Sequence, residues 1–497
     1  MQVNKEQISK NAVTSVLQAL VSGVLLFFLY KYLMSKVGTE GFGIWSLVMA
    51  LTSFAQITNL GLSGSVVKFV AKELANDEVG KAALVIQTSI VSISVISGIF
   101  ILVLFPLLSW LLSNIADGLV LTGALSLLPY ALFSFWIRSL AAVFISSLDG
   151  YMRTDLKNLI LVSVNALNFF FCLIFVPRYG VIGIIYSTIL SNVLALMSSW
   201  FLLRKHNPFL PMLPRGGDLS ILKEIIGYAG NFQLISLAGM LGDSVTKALL
   251  SKFGEISAVA FYEMANRLVL QIRALLISAY QAIIPVVANL KERNPESIRA
   301  VYLKAYSILY YLAILVYTVL LVAFPGISMV WIGYKEPLFI FLGQILAVAW
   351  FLNTLSVPAY VFSLGLGVLK WNVIGHMVIG MLNLLAGYLC GLLWGITGVV
   401  SASFLALVVG SLVISYPILV ANNLRASSYL PKESRMMTVS ILLFFSVISF
   451  ARILWGRPTS LLLEAGVISA TVLFLALVGV KNPMRKSVLS WVCRAAG

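Results

Sequence analysis

The chain has 497 residues, of which 60% are hydrophobic and 10% charged, and its mean hydropathy is +1.00. Soluble domains carry about 25% charged residues, so a chain this apolar cannot cover a water-exposed surface; a soluble enzyme, a secreted disulfide scaffold and a disordered tail are excluded. The 34 lysines and arginines against 18 acids give +16, which in a membrane protein reads as loop charge rather than as nucleic-acid binding.

Apolar runs of about 20 residues recur along the whole length, whereas barrel strands would be about 10-residue alternating segments. The fold class is therefore an all-α polytopic membrane protein. Fourteen spans are predicted, beginning with 13–34 and 42–66. The first carries Asn11, Ser15, Gln18 and Ser22 on one face, at or beside its start; the second carries Thr52, Gln56, Asn59 and Ser63, with Lys68 at its mouth. Such uncharged stripes serve either a polar cavity or hydrogen bonding between helices. Spans 3 to 6 follow at 83–112, 119–145, 158–177 and 181–203, with Arg138 near the end of span 4.

The segment 204–224 holds Arg204, Lys205, Arg215, Lys223 and three prolines, and reads as a linker. Span 7, 225–250, places Ser236, Asp243 and Lys247 on one face. Span 8, 256–286, carries Glu263, Asn266, Arg267, Gln271, Arg273 and Gln281 within less than half of the helix circumference. Ionisable groups in spans are costly and face a protein interior or an aqueous cavity. A Glu263–Arg267 pair at i,i+4 accounts for one arginine, which leaves a wet, cationic face. Asp243, Lys247, Glu263 and Arg267 fall at similar depth and form a candidate ion site, gate or structural cluster.

Spans 9 to 14 are predicted at 304–331, 338–364, 371–393, 396–420, 437–455 and 460–480, with His376 alone in span 11. The organisation is a six-helix bundle at 1–203, a linker at 204–224, a second six-helix bundle at 225–420, and two further helices with a tail at 421–497. With the N-terminus inside, 22 lysines and arginines fall on the cytoplasmic side and 7 opposite, so both termini are expected in the cytoplasm. No removable signal peptide is expected at the N-terminus. Cys172, Cys390 and Cys493 show no metal or redox spacing and read as packing residues; no cofactor or metal is expected.

The segments LNFFFCLIFVPRYGVIG (167–183) and LNLLAGYLCGLLWGITG (382–398) match at a constant offset of 215, pairing Leu167, Asn168, Gly180 and Gly183 with Leu382, Asn383, Gly395 and Gly398. Gly38 and Glu40 before span 2 resemble Gly254 and Glu255 before span 8. Both blocks cross in the same direction, so the halves are parallel repeats, an arrangement common in transporters.

The fourteen-span order, the opening segment with Gly38, Glu40, Phe42 and Gly43, and the segment LNFFFCLIFVPRYGVIGIIYSTILSN together resemble the polysaccharide repeat-unit flippases, or O-antigen transporters, of the multidrug/oligosaccharidyl-lipid/polysaccharide exporter superfamily. In the second half the proline is missing around Trp394 and Ala260 replaces a glycine, which weakens residue-level transfer there. The resemblance implies two bundles that open alternately, and movement of an undecaprenyl-pyrophosphate-linked oligosaccharide from the cytoplasmic to the outer leaflet of a bacterial inner membrane. It maps the pyrophosphate onto Arg267 and Arg273, then Lys247 and Lys68. Asn11, Gln18, Gln56, Asn59, Asn266 and Gln271 are the candidate sugar contacts; Asp243 and Glu263 are the candidate ion or gate residues. A polysaccharide polymerase, a chain-length regulator and sodium or proton coupling are partners this reading leaves open. Span 1 lacks the mid-helix arginine of some relatives, which disfavours a peptidoglycan precursor. The alternatives are a cation-coupled multidrug exporter, whose cavity would want carboxylates, and a membrane polymerase or glycosyltransferase, which would need an exposed catalytic loop. The outer loops are short, so a transporter rather than an enzyme is expected.

Overall fold

The computed structural model describes residues 5–59, 62–212, 216–278, 280, 283–421, 430–454 and 460–485, without the side chains of 5–9, 12, 57–59, 62–64, 226–241, 278, 285, 292 and 449–454. These residues are helical, with short turns and no strand. In chain order the helices are α1 (Lys5–Thr52), α2 (Leu62–Ala75), α3 (Val79–Ile115), α4 (Gly118–Gly150), α5 (Thr154–Tyr179), α6 (Val181–His206), α7 (Leu219–Phe253) and α8 (Ile256–Ser278). Then come α9 (Ile283–Arg293), α10 (Ile298–Trp331), α11 (Pro337–Thr354), α12 (Val357–Leu366), α13 (Lys370–Ala421), α14 (Arg435–Leu454) and α15 (Leu461–Lys481). The described residues of the fourteen predicted spans fall on helix, apart from a turn at Leu355–Ser356 and the Ser460 cap. Among the described residues, nine stretches are long and apolar enough to cross a membrane, and the chain is a multi-pass membrane protein.

The breaks between spans differ in kind. Spans 1 and 2 share α1, which bends at Gly38 (φ 68°, ψ −178°); the rest of span 2 includes a 3₁₀ turn, Ser53–Asn59, and the start of α2. Span 10 is divided between α11 and α12, with Pro358 just inside α12, where its missing N–H costs no helical hydrogen bond. Spans 5 and 6 turn at Gly180 (φ 59°, ψ −135°), and spans 11 and 12 turn within α13 at Gly395 (φ 58°, ψ −135°). Side chains are excluded from such angles. The 215-residue repeat is therefore a repeat of backbone conformation as well as of sequence.

Contacts divide the chain into two compact units. The first comprises Met1–Glu263 with Gly391–Val399. In it α6 packs on α4 and α5, α1 on α5, and α7 on α1, α2 and α3. Val66, Val70, Ile86, Leu148, Ile160 and Leu203 are buried together. Asp155, at the start of α5, is 6% exposed and pairs with Lys10 (3.1 Å) and Arg153 (3.0 Å). Asp218 caps α7 by accepting from the Ser220 and Ile221 amides; the Ser220 hydroxyl and amide hold its carboxyl below the usual range.

The second unit comprises Met264–Cys390 with Val400–Gly497. Helix α10 is its axis and packs on α11 and α15. Tyr302, Tyr306, Tyr310 and Tyr317 are buried along it. Helix α15 is tied to the α10–α11 connection by an ion pair from the half-buried Lys335 Nζ to the buried Glu464 Oε1 at 2.6 Å, and to α10 by Tyr311 donating to the Gly479 carbonyl at 3.1 Å.

Candidate functional site

Within the first unit, charge gathers where α1, α7 and the start of α8 meet. Asp243 and Lys247 are one helical turn apart on α7, so their side chains share a face, and Lys247 Nζ lies 2.6 Å from Asp243 Oδ2. Lys247 Nζ also lies 2.5 Å from Glu263 Oε2. The Tyr30 hydroxyl, from α1, donates to Glu263 Oε1 at 2.8 Å. Tyr30, Lys247 and Glu263 are all at most 3% exposed. Three members of the four-charge cluster expected from the sequence thus meet. The ammonium is shared by two carboxylates, which is how a buried lysine stays charged.

In the second unit, Arg273 is the centre of a polar network set among aromatic rings. Its Nη2 donates to Asn353 Oδ1 on α11 at 2.9 Å, and its guanidinium lies 4.9 Å from the Trp350 ring centroid. Asn353 Nδ2 in turn donates to Ser411 Oγ on α13 at 2.8 Å. Trp350 Nε1 donates to Asn266 Oδ1 at 2.9 Å, so Asn266 holds the ring on which Arg273 stacks. The Arg273 Nε is buried and makes no hydrogen bond, and among the described residues no carboxylate pairs with this arginine. A guanidinium with an unsatisfied Nε–H and no carboxylate partner among the described residues can bind an anion; its planar fork suits phosphate oxygens. Tyr317 donates to or accepts from Thr354 at 3.0 Å, and the rings of Tyr360 and His376 meet edge to face at 5.9 Å.

The other candidates are dispersed. Arg267 is exposed and Gln271 half-buried. Lys68 is exposed, 5.7 Å from the Phe69 ring, and Arg138 is exposed, 5.8 Å from the Phe135 ring. The span 1 stripe is spent largely on α5. Asn11 Nδ2 donates to the Met152 carbonyl, and Asn11 Oδ1 accepts from the Asp155 amide, each at 3.0 Å. Ser15 accepts from Asn158 (2.9 Å), and Ser22 accepts from Asn165 (2.8 Å) and from Gln18 (3.1 Å). Gln56 is half-buried; the side chains of Asn59 and Ser236, and residue Gln281, lie outside the described residues. Sequence reasoning missed Tyr30, Trp350, Asn353 and Ser411. Asn353 and Ser411 were detectable only as isolated polar residues in apolar runs.

A family model described as polysaccharide biosynthesis protein matches residues 8–291. Among curated proteins none matches. The fold is that of solved members of the MOP superfamily. The lipid II flippase MurJ in an inward closed conformation is similar with a TM-score of 0.72 at 13% identity, over 94% of this chain and 97% of that one. An inward-facing multidrug resistance MATE family transporter gives 0.66 at 19% identity, over 82% and 98%. A MOP superfamily transporter from Pyrococcus furiosus gives 0.61 at 19% identity, over 85% and 99%.

Proposed function

The chain belongs to the polysaccharide biosynthesis protein family, and on that premise we propose that it carries undecaprenyl-pyrophosphate-linked oligosaccharide repeat units from the cytoplasmic to the outer leaflet of a bacterial inner membrane, for O-antigen or a related surface polysaccharide. The observation that carries this reading is Arg273, a cation with a buried, unsatisfied Nε and no carboxylate partner among the described residues. A pyrophosphate with sugars attached cannot cross hydrocarbon unaided, since the cost of burying charge and unpaired hydroxyls is prohibitive. Arg273 replaces the hydration of the anion, Arg267 assists it, and Asn266, Gln271 and Gln56 contact sugar hydroxyls while the lipid tail stays in the bilayer.

Lys247 takes a different part. Its ammonium already stands between Asp243 and Glu263, the place a free cation would take, so we read this cluster as a gate lock. The halves related by the 215-residue offset alternate the access of the site, with both termini in the cytoplasm.

The proposal is tested by reconstituting the protein in proteoliposomes with a fluorescent undecaprenyl-pyrophosphate-linked oligosaccharide in both leaflets. An impermeant reagent that destroys the outer pool consumes the inner pool as well when the protein moves the lipid. Protection of the inner pool, with the protein folded and inserted, contradicts the proposal.

A further inference from the structure

Both units hold a cavity built from equivalent positions. In the first unit, a cavity of about 440 Å³ is walled in part by Val95, Leu140, Leu196, Met197 and Trp200. In the second, a cavity of about 340 Å³ is walled in part by Tyr310, Leu355, Ser411, Leu412 and Ser415. Each of these five residues stands 215 positions after its counterpart, the offset that also relates Gly180 to Gly395. The cavity is thus a duplicated feature of the fold.

The copies have diverged in chemistry. In the first, the Trp200 indole donates to the Pro211 carbonyl at 3.3 Å and carries Arg204 at 5.3 Å from its ring. Leu196 in that wall has nothing to hydrogen-bond with. In the second, serines replace both residues. Ser411 accepts from Asn353, and Asn353 accepts from Arg273, so two hydrogen bonds join this wall to the cation with the unsatisfied Nε. The rest of the wall, including Phe351, Leu352 and Leu355, is apolar. Leu412 is 51% exposed and gives a chain a way in.

We propose that the cavity of the second unit seats the hydrocarbon chain of an anionic prenyl lipid whose phosphate end lies at Arg273. This rests on the reading of Arg273 as the phosphate residue. Bilayer tails are as apolar as the cavity wall, so burial of the chain alone selects nothing. Selectivity comes from combination: an apolar seat and a charge-assisted phosphate contact held by one hydrogen-bonded frame. A free phosphate lacks the chain, and a prenol lacks the charge. The first copy, in which Leu196 replaces the bridging serine, has no such frame.

The test uses the full chain in nanodiscs, with a photoreactive phenylalanine analogue replacing Leu412 or, separately, its counterpart Met197. The probes are geranylgeranyl diphosphate, geranylgeraniol and inorganic pyrophosphate. The diphosphate is expected to label position 412 at least about fivefold more than position 197, and Arg273→Ala to abolish that preference, given the strength of a charge-assisted phosphate contact. Geranylgeraniol should label both positions alike. Leu412→Trp, which narrows the cavity at an exposed position, should weaken geranylgeranyl diphosphate binding and leave inorganic pyrophosphate binding unchanged. Equal labelling at 412 and 197 by the diphosphate, or Leu412→Trp weakening neither ligand, overturns the seat while leaving the phosphate reading intact if pyrophosphate binding still depends on Arg273. Pyrophosphate binding that is indifferent to Arg273→Ala overturns both.

Discussion

Lys247 and Glu263 are each 3% exposed, and their charged atoms lie 2.5 Å apart. Removing one member of a buried pair leaves an uncompensated charge, at a cost on the order of 3–5 kcal/mol. Lys247→Met should therefore lower the thermal unfolding midpoint sharply, because it strands Glu263 and Asp243 together. Lys247→Met combined with Glu263→Gln should recover much of the loss. The check is a double-mutant cycle on purified protein by thermal unfolding; additive losses would show that the pair does not couple.

The Lys335–Glu464 pair gives a separable prediction. Glu464 is 1% exposed and Lys335 Nζ lies 2.6 Å from its carboxylate. Glu464→Ala takes the carboxylate away from a half-buried ammonium and should destabilise by about 1–3 kcal/mol. Limited proteolysis should then cleave near α15 first, since this pair and Tyr311 hold that helix to its unit. Wild-type cleavage kinetics in the variant would remove the assignment.

Gly180 and Gly395 share φ near 58–59° and ψ of −135°. Alanine at either position is strained by about 1–3 kcal/mol, so Gly180→Ala and Gly395→Ala should each reduce the unfolding midpoint by a similar amount. Gly183→Ala should cost more than strain alone, because an added Cβ would come 2.6 Å from the Phe175 carbonyl oxygen. A chemical or thermal unfolding series on the three variants checks the order.

Trp350 both stacks on Arg273 and donates to Asn266. Trp350→Leu keeps an apolar side chain but removes the π face and the indole donor, contributions of about 0.5–2 kcal/mol for the stack. Binding of a pyrophosphate ligand should weaken by roughly two- to thirtyfold while Arg273 remains present, a loss read by titration calorimetry. Trp350→Phe should fall between Leu and wild type, since it restores a ring without the N–H. Equal affinities for Leu and Phe would mean that stacking does not position the guanidinium.

The helices were legible because a membrane demands about 20 apolar residues per crossing, and that demand leaves long uninterrupted runs. The repeat was legible for a related reason: Gly180 and Gly395 occupy backbone angles closed to other residues, so the glycines persist where side chains vary. The Asp243–Lys247 pair followed from helical spacing. What spacing does not give is the identity of the facing helix. The stripe of Asn11, Ser15, Gln18 and Ser22 announces a polar face, but only tertiary structure shows that Asn158 and Asn165 of α5 answer it. Asn353 and Ser411 show no pattern along the chain, yet they frame Arg273. Tyr30 likewise reads as one more aromatic residue of an apolar run until the fold brings it to Glu263.

The central claim is that Arg273 accompanies an anionic lipid headgroup across the bilayer. A charge-assisted hydrogen bond is worth about 1.5–3 kcal/mol, or roughly ten- to a hundredfold in rate. The decisive measurement is the rate of inner-pool consumption in the proteoliposome assay for Arg273→Ala and Arg273→Lys, at equal amounts of folded protein. A loss of at least about tenfold is expected for alanine and a smaller loss for lysine, which keeps the charge but not the fork. Wild-type rates in both variants would contradict it.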